Sequence, residues 1–171
     1  DDQVQVIVLR SAGERAFCAG ASFDELVAID DFETGKRFFS GFAKVINAMR
    51  KAPKFIIGRV QGKAVGGGVG MAAAVDYCLA TDAAAIKLSE LAIGIGPFVV
   101  GPAVERKVGH SAMTALTINA TAWKSAEWAA EKGLYAETFP DIAALDKAVD
   151  ALAGKLAASN PEAMAELKAT F

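Results

Sequence analysis

The chain has 171 residues, 53% of them apolar, with 18 Lys and Arg against 20 Asp and Glu for a formal charge of −2. A chain of this size buries roughly two thirds of the surface its unfolded form exposes, which excludes intrinsic disorder and makes disulfides or a structural metal unnecessary. Balanced charge without a Lys/Arg stripe speaks against nucleic acid and anionic membranes as partners.

The chain opens on Asp1-Asp2 with no Met and no signal or transit pattern, so the expected natural start lies upstream. It runs directly into Val4–Leu9, a β-branched run that predicts a buried strand. A glycine-bearing turn follows, Phe17-Cys18-Ala19-Gly20-Ala21-Ser22. Ser22 and Glu25 fit the S-x-x-E capping box, in which hydroxyl and carboxylate each satisfy a free N–H, so a helix should begin at Phe23. Phe38, Phe42, Val45, Ile46 and Met49 fall at helical spacing before Pro53 and predict an amphipathic helix. Phe55–Val60, closed by Gly62, reads as a second buried strand. Gly66-Gly67-Gly68-Val69-Gly70 then opens a short helix whose small residues permit close backbone approach, and Tyr77–Ala80 and Ile86–Leu88 return as short strands. The long uncharged stretches, Ala64–Val75 and Leu91–Val104, are broken by Gly or Pro and fall short of the roughly 18 residues of a membrane span, so they read as interior.

From Pro102 onward no strand pattern remains, and Ala, Glu and Lys dominate. Ser125 and Asp141 read as N-caps, Gly133 as a C-cap and Pro161 as the first turn of a last helix. Ile142, Leu145, Val149, Leu152 and Leu156 make one apolar stripe, which must bury on the chain's own core or on a neighbouring subunit.

The two cysteines, Cys18 and Cys78, fit no metal-ligand spacing, which points to a reducing, cytoplasmic setting and no metal site. His110, the single histidine, sits with Ser111 at a helix junction and reads as exposed or capping; with no G-x-S-x-G elbow, Ser-His-Asp hydrolysis is disfavoured. Asp76 and Asp82 read as structural acids, and Trp123, Trp128 and Phe139 as packing or subunit contacts. Gly68 to Ala73 spell G-x-G-x-x-A with Glu90 downstream, but the preceding strand ends too early and the next begins too soon for a dinucleotide fold. The two glycine turns each open a helix, and unpaired N–H groups at such starts would stabilise an oxyanion if both met at one point. Two tight turns without that role fit the spacing equally well.

The segments SAGERAFCAGASFDEL and VQGKAVGGGVGMAAAVDYCLATDAAAIKLSELAIGIGP resemble, in order and spacing, the two signature regions of the crotonase (enoyl-CoA hydratase/isomerase) superfamily. The resemblance runs from Val4 to Gly109 and more loosely beyond. It implies an α/β fold: a crotonase-like spiral of ββα units over 1–101 that holds the CoA-thioester site, and a helical C-terminal trimerisation region over 102–171. It also implies that a first hairpin precedes this chain, and that copies assemble as a homotrimer or as a hexamer, a dimer of trimers. The substrate class is an acyl-CoA thioester, with no cofactor beyond the coenzyme A that the substrate carries.

Carried over by position, the oxyanion donors are the backbone N–H groups of Ala21 and Gly67. Glu90 is the catalytic acid/base, and Cys18, Ala19, Gly20, Gly66, Gly68, Gly70 and Phe98 contact substrate. The family's hydratases hold water between two glutamates; Glu90 occupies one of those positions and Gly70 the other. In the family's β,γ to α,β enoyl-CoA isomerases a glutamate at the position of Glu90 works alone, so isomerisation is the expected reaction. Hydration with an unidentified second acid and a non-catalytic CoA-binding or oligomeric scaffold are the alternatives. Burial among Leu88, Leu91 and Ile93 should raise the pKa of Glu90. The family's dehalogenases need an aspartate where Phe98 stands, which disfavours that chemistry; Ser22 replaces a family Asp that it can match as a cap.

Overall fold

The computed structural model describes residue 1 and residues 3–171. In chain order the elements are β1 (Ile7–Arg10), β2 (Ala16–Cys18), α1 (Phe23–Val27), α2 (Phe32–Lys51), β3 (Ile56–Val60), β4 (Lys63–Val65), α3 (Gly67–Ala74), β5 (Tyr77–Thr81) and β6 (Ala85–Lys87). After a 3-10 turn at Glu90–Ile93 come α4 (Gly101–Ile118), β7 (Lys124–Ser125), α5 (Ala126–Glu131), β8 (Glu137–Phe139), α6 (Ile142–Ala157) and α7 (Pro161–Ala169). Strands β1 to β6 alternate between two sheets, one ordered β1-β3-β5-β8 and parallel throughout, the other ordered β2-β4-β6-β7 with only β7 antiparallel. Through β6 each turn of the chain therefore adds one strand to each sheet and then helix, which is the expected ββα spiral; in the last turn α5 separates β7 from β8.

One expectation is corrected. Residues 102–171 are not free of strands: β7 and β8 complete the two sheets, with Ile86 opposite Lys124 and Thr81 opposite Phe139. Strands of two and three residues are too short to carry a period of two, so no pattern announces them.

The core lies between the sheets and around α3, whose Gly68, Val69, Gly70, Ala72, Ala73 and Ala74 are buried. A helix apolar on every side is a buried helix. Small residues let its neighbours close in: a Cβ on Gly68 would stand 2.2 Å from the Cys18 carbonyl oxygen. The α6 stripe buries within the chain, Leu145 and Val149 packing with Ile57 and Leu79 while Leu152 and Leu156 flank them. Arg59, 4% exposed, crosses to the same helix and donates from Nε to Asp146 Oδ1 at 2.7 Å. That bond, more than charge alone, holds the Asp146 carboxyl below its ordinary pKa.

The expected caps are present: Ser125 Oγ accepts from Trp128 N, Asp141 Oδ1 from Ala144 N, and Gly133 follows the end of α5 at φ 84°. His110 is exposed beside Glu105, just after a break in α4 at Gly109, where φ is 78°. Trp123 receives the ammonium groups of Lys63 and Lys87 at 4.8 and 4.6 Å. Both cysteines are free, and burial pushes the Cys78 thiol up to about 12. Among the described residues no helix is long and apolar enough to cross a membrane.

Asp76 is the structural acid it was expected to be. Its Oδ2 accepts from Ile56 N and from Lys168 Nζ, both at 2.7 Å, and the same ammonium donates to the carbonyls of Met49 and Lys54. Lys168 is buried, so its charge is compensated only by these partners. Lys168→Met should destabilise the fold by about 3–5 kcal/mol, because removing one member of a buried pair leaves the other uncompensated. Urea unfolding checks this; a loss below about 1 kcal/mol would mean that Asp76 is solvated after all.

Candidate active site

β2, β4 and β6 are parallel neighbours, so their C-terminal ends lie side by side and the three turns that follow them converge. This is the edge at which open parallel sheets present ligand sites. A register shift between Ala16 and Cys18 bends β2 just before the first turn. The second turn is tied to the third strand by Gly66 N, which donates to the Lys87 carbonyl at 2.9 Å.

In the first turn Gly20 takes φ 94°, and Ser22 caps α1 by accepting from Glu25 N at 3.3 Å. Only half of the expected capping box forms: the Glu25 side chain lines a neighbouring groove between α1 and α2. In the second turn Gly66 takes φ 52° and ψ −115° before α3 begins at Gly67. The two turns touch, since a Cβ on Gly20 would lie 3.5 Å from Gly67 N. Gly67 opens its helix, so its N–H has no intrahelical acceptor. Among the described residues neither that group nor Ala21 N–H donates a hydrogen bond.

Ala21 and Gly67 line a cavity of about 250 Å³, together with Ala19, Gly20, Gly66 and Glu90. Phe23 from α1 and Phe38, Phe39 and Phe42 from α2 form an aromatic side, with Phe38 and Phe39 packed edge to face at 5.1 Å. Val65, Val99 and Val100 close it further. Among the described residues, the side chains lining this cavity are apolar apart from Glu90 and the Ser89 hydroxyl, and Glu90 is the one titratable group.

Glu90 heads the 3-10 turn. Its Oε1 lies 3.1 Å from where a Cβ on Gly66 would stand, and its Oε2 is buried without a hydrogen-bond partner. Loss of water around the carboxyl raises its pKa above the ordinary glutamate range. The expected cause was only partly right: Leu88 is buried, but Leu91 and Ile93 are 52% and 48% exposed. A single 3-10 turn lies at the surface, and the carboxylate is dehydrated by turning inward against Gly66 and the apolar wall.

The structure thus brings together Ala19, Gly20, Ala21, Gly66, Gly67 and Glu90. It places the other four elsewhere. Cys18 lines the neighbouring groove, and Gly68 and Gly70 are buried in α3 packing against Cys18 and Val100. Phe98 is 86% exposed and does not line the cavity; its ring covers Gly96. Sequence reasoning missed the aromatic wall because Phe38 and Phe42 fit the core-facing stripe of α2. The available signal was surplus: Phe23 and Phe39 are more aromatic surface than one buried helix face requires.

Together these groups can stabilise negative charge on a carbonyl oxygen and move a proton beside it, in an environment poor in water. A family model described as enoyl-CoA hydratase/isomerase matches residues 1–171. The chain is 31% identical over 131 residues to the bacillaene synthase dehydratase of Bacillus subtilis, covering 73% of this chain and 49% of that protein. It is 33% identical over 97 residues to the short-chain-enoyl-CoA hydratase of Clostridium acetobutylicum, covering 57% and 37%. It superposes on the crystal structure of an enoyl-CoA hydratase from Mycobacterium smegmatis with a TM-score of 0.93 at 30% identity, over 99% of this chain and 65% of that one. The chain spans about half or less of the length of these curated relatives.

Proposed function

Because the chain belongs to the enoyl-CoA hydratase/isomerase family, we propose that it moves the double bond of an enoyl-CoA thioester from the β,γ to the α,β position, with Glu90 as its single acid/base. The observation that carries this reading is that, among the described residues, Glu90 is the one titratable side chain lining a cavity that Ala21 and Gly67, with their unpaired backbone N–H groups, also line. The thioester carbonyl accepts from Ala21 N–H and Gly67 N–H, whose fixed dipoles favour the charge that develops on the oxygen. Glu90 takes the α proton, the electron pair moves onto that oxygen, and the same carboxyl returns the proton to the γ carbon. Trimer or hexamer assembly belongs to the same proposal and is read from the mass of the full-length protein in solution.

The relatives described as hydratases favour a second reading, hydration of the α,β double bond. That reaction needs a further acid, and the cavity lining supplies none among the described residues. Parallel turnover of the full-length protein on a β,γ-enoyl-CoA and on crotonyl-CoA separates the readings. Isomerisation without hydration is expected. Comparable hydration would mean that another acid enters the site, and CoA binding without turnover would leave a scaffold.

The pH profile follows from burial. Proton abstraction needs the Glu90 carboxylate, and its pKa is raised. kcat/KM should therefore climb with pH through an apparent pKa above that of a solvated glutamate, and level off beyond it. A flat profile across the acid range would remove Glu90 from the mechanism.

A further inference from the structure

Gly70 stands one helical turn beyond Gly66 in α3, its N–H donating to the Gly66 carbonyl at 3.3 Å. The two positions meet different neighbours. A Cβ on Gly66 would face Glu90 Oε1 at 3.1 Å, whereas a Cβ on Gly70 would run into Val100 Cγ1 at 2.5 Å and Val100 Cβ at 2.7 Å. Val100, the residue before α4, is 4% exposed and lines the cavity; Gly70 does not. The room one helical turn beyond Gly66, the residue that Glu90 faces, is thus filled by a valine side chain that arrives from a different segment of the chain.

A confined water needs two to four polar partners. Once a thioester oxygen occupies the Ala21 and Gly67 N–H groups, the side chains of this cavity leave a water only the Glu90 carboxyl and the Ser89 hydroxyl, the minimum of two partners. We propose that Val100 determines the outcome of the reaction at Glu90: it takes up space in the shared cavity with methyl groups that offer water no third partner, so that a proton taken from the α carbon stays on Glu90 until the γ carbon accepts it. The inference rests on the isomerase reading above and adds to it the residue that keeps the transfer internal. In the balanced step the α C–H bond breaks and its proton goes to Glu90, with the electron pair on the thioester oxygen. The γ carbon then takes that same proton as the double bond moves to the α,β position.

The test is isomerisation of a β,γ-enoyl-CoA by full-length protein in deuterium oxide, with deuterium at the γ carbon of the product as readout. In the parent the γ position should carry mainly the substrate's own hydrogen. Val100→Thr keeps the shape but puts a hydroxyl where a methyl stands, and should raise the deuterated fraction by about threefold or more by giving water a partner. Val100→Ala, which admits water by space alone, should raise it in the same direction and guards against a Thr variant that fails to fold. A purely structural role would lower turnover and leave the deuterated fraction unmoved, which would overturn the inference while the isomerase reading stands. Full deuteration by the parent would also overturn it. No turnover by the parent in ordinary water would overturn the isomerase reading, and this inference with it.

Discussion

Glu90→Gln should fold like the parent and lose isomerase turnover by about two to four orders of magnitude, the range a positioned acid/base contributes. The amide keeps the shape of the side chain against Gly66 but cannot accept the α proton. Among the described residues no other titratable group lines the cavity to replace it. Stability should move the other way. Burial raises the folded-state pKa of Glu90 above its unfolded value, so the carboxyl favours the fold only in its protonated form. Its stabilising contribution is full below the unfolded pKa and is lost as pH rises through the folded pKa. Glu90→Gln should therefore gain stability relative to the parent from about pH 4 to neutrality, read from urea midpoints at the two pH values. Turnover close to that of the parent would show that Glu90 is not the base.

Gly68→Ala should damage both fold and activity, although residue 68 does not line the Glu90 cavity. The added methyl would stand 2.2 Å from the Cys18 carbonyl oxygen and 2.9 Å from its carbon, a contact with strand backbone that no side-chain rotation relieves. Overpacking of this kind costs about 1–3 kcal/mol. It also forces α3 away from β2, and with it Gly67 N away from the turn that carries Ala21. A displacement of about 1 Å between catalytic groups can cost about a hundredfold in rate. The expected signature is a drop in kcat in protein that is still folded, together with a lower urea midpoint. Unchanged kcat would mean that the two N–H groups need not hold their present separation.

Much of the architecture was legible because its causes are local. Ser22, Ser125, Asp141 and Asn160 each accept from the N–H three residues on, and three of these caps could be named from residue type and spacing. The central strands β3 and β5 are short apolar runs bounded by turn residues, and α3 is a run of small residues that only close packing explains. The site's nucleus was reachable through the resemblance: Ala21, Gly67 and Glu90 lie three, two and three residues beyond the ends of β2, β4 and β6, and of those three strands only β6 was legible as a strand. The capping box was legible only in part: Ser22 caps, but where the Glu25 side chain lies depends on the groove formed with α2.

The walls of the cavity were a different matter. Phe42 and Val100 meet α3 at Gly67 and Gly70 although 58 positions separate them in the chain, and no periodicity links them. The same limit hid β7 and β8, whose pairing partners lie in strands read long before them. The sequence by itself determined the helix starts and their caps, because these depend on contacts within about four residues. Only the tertiary structure decided that the turns touch, that Glu90 is dehydrated by Gly66 and an aromatic wall, and that Val100 fills the space beside Gly70. Those outcomes depend on volumes contributed by separate segments, and shape complementarity between distant parts of a chain exists only once the core has closed.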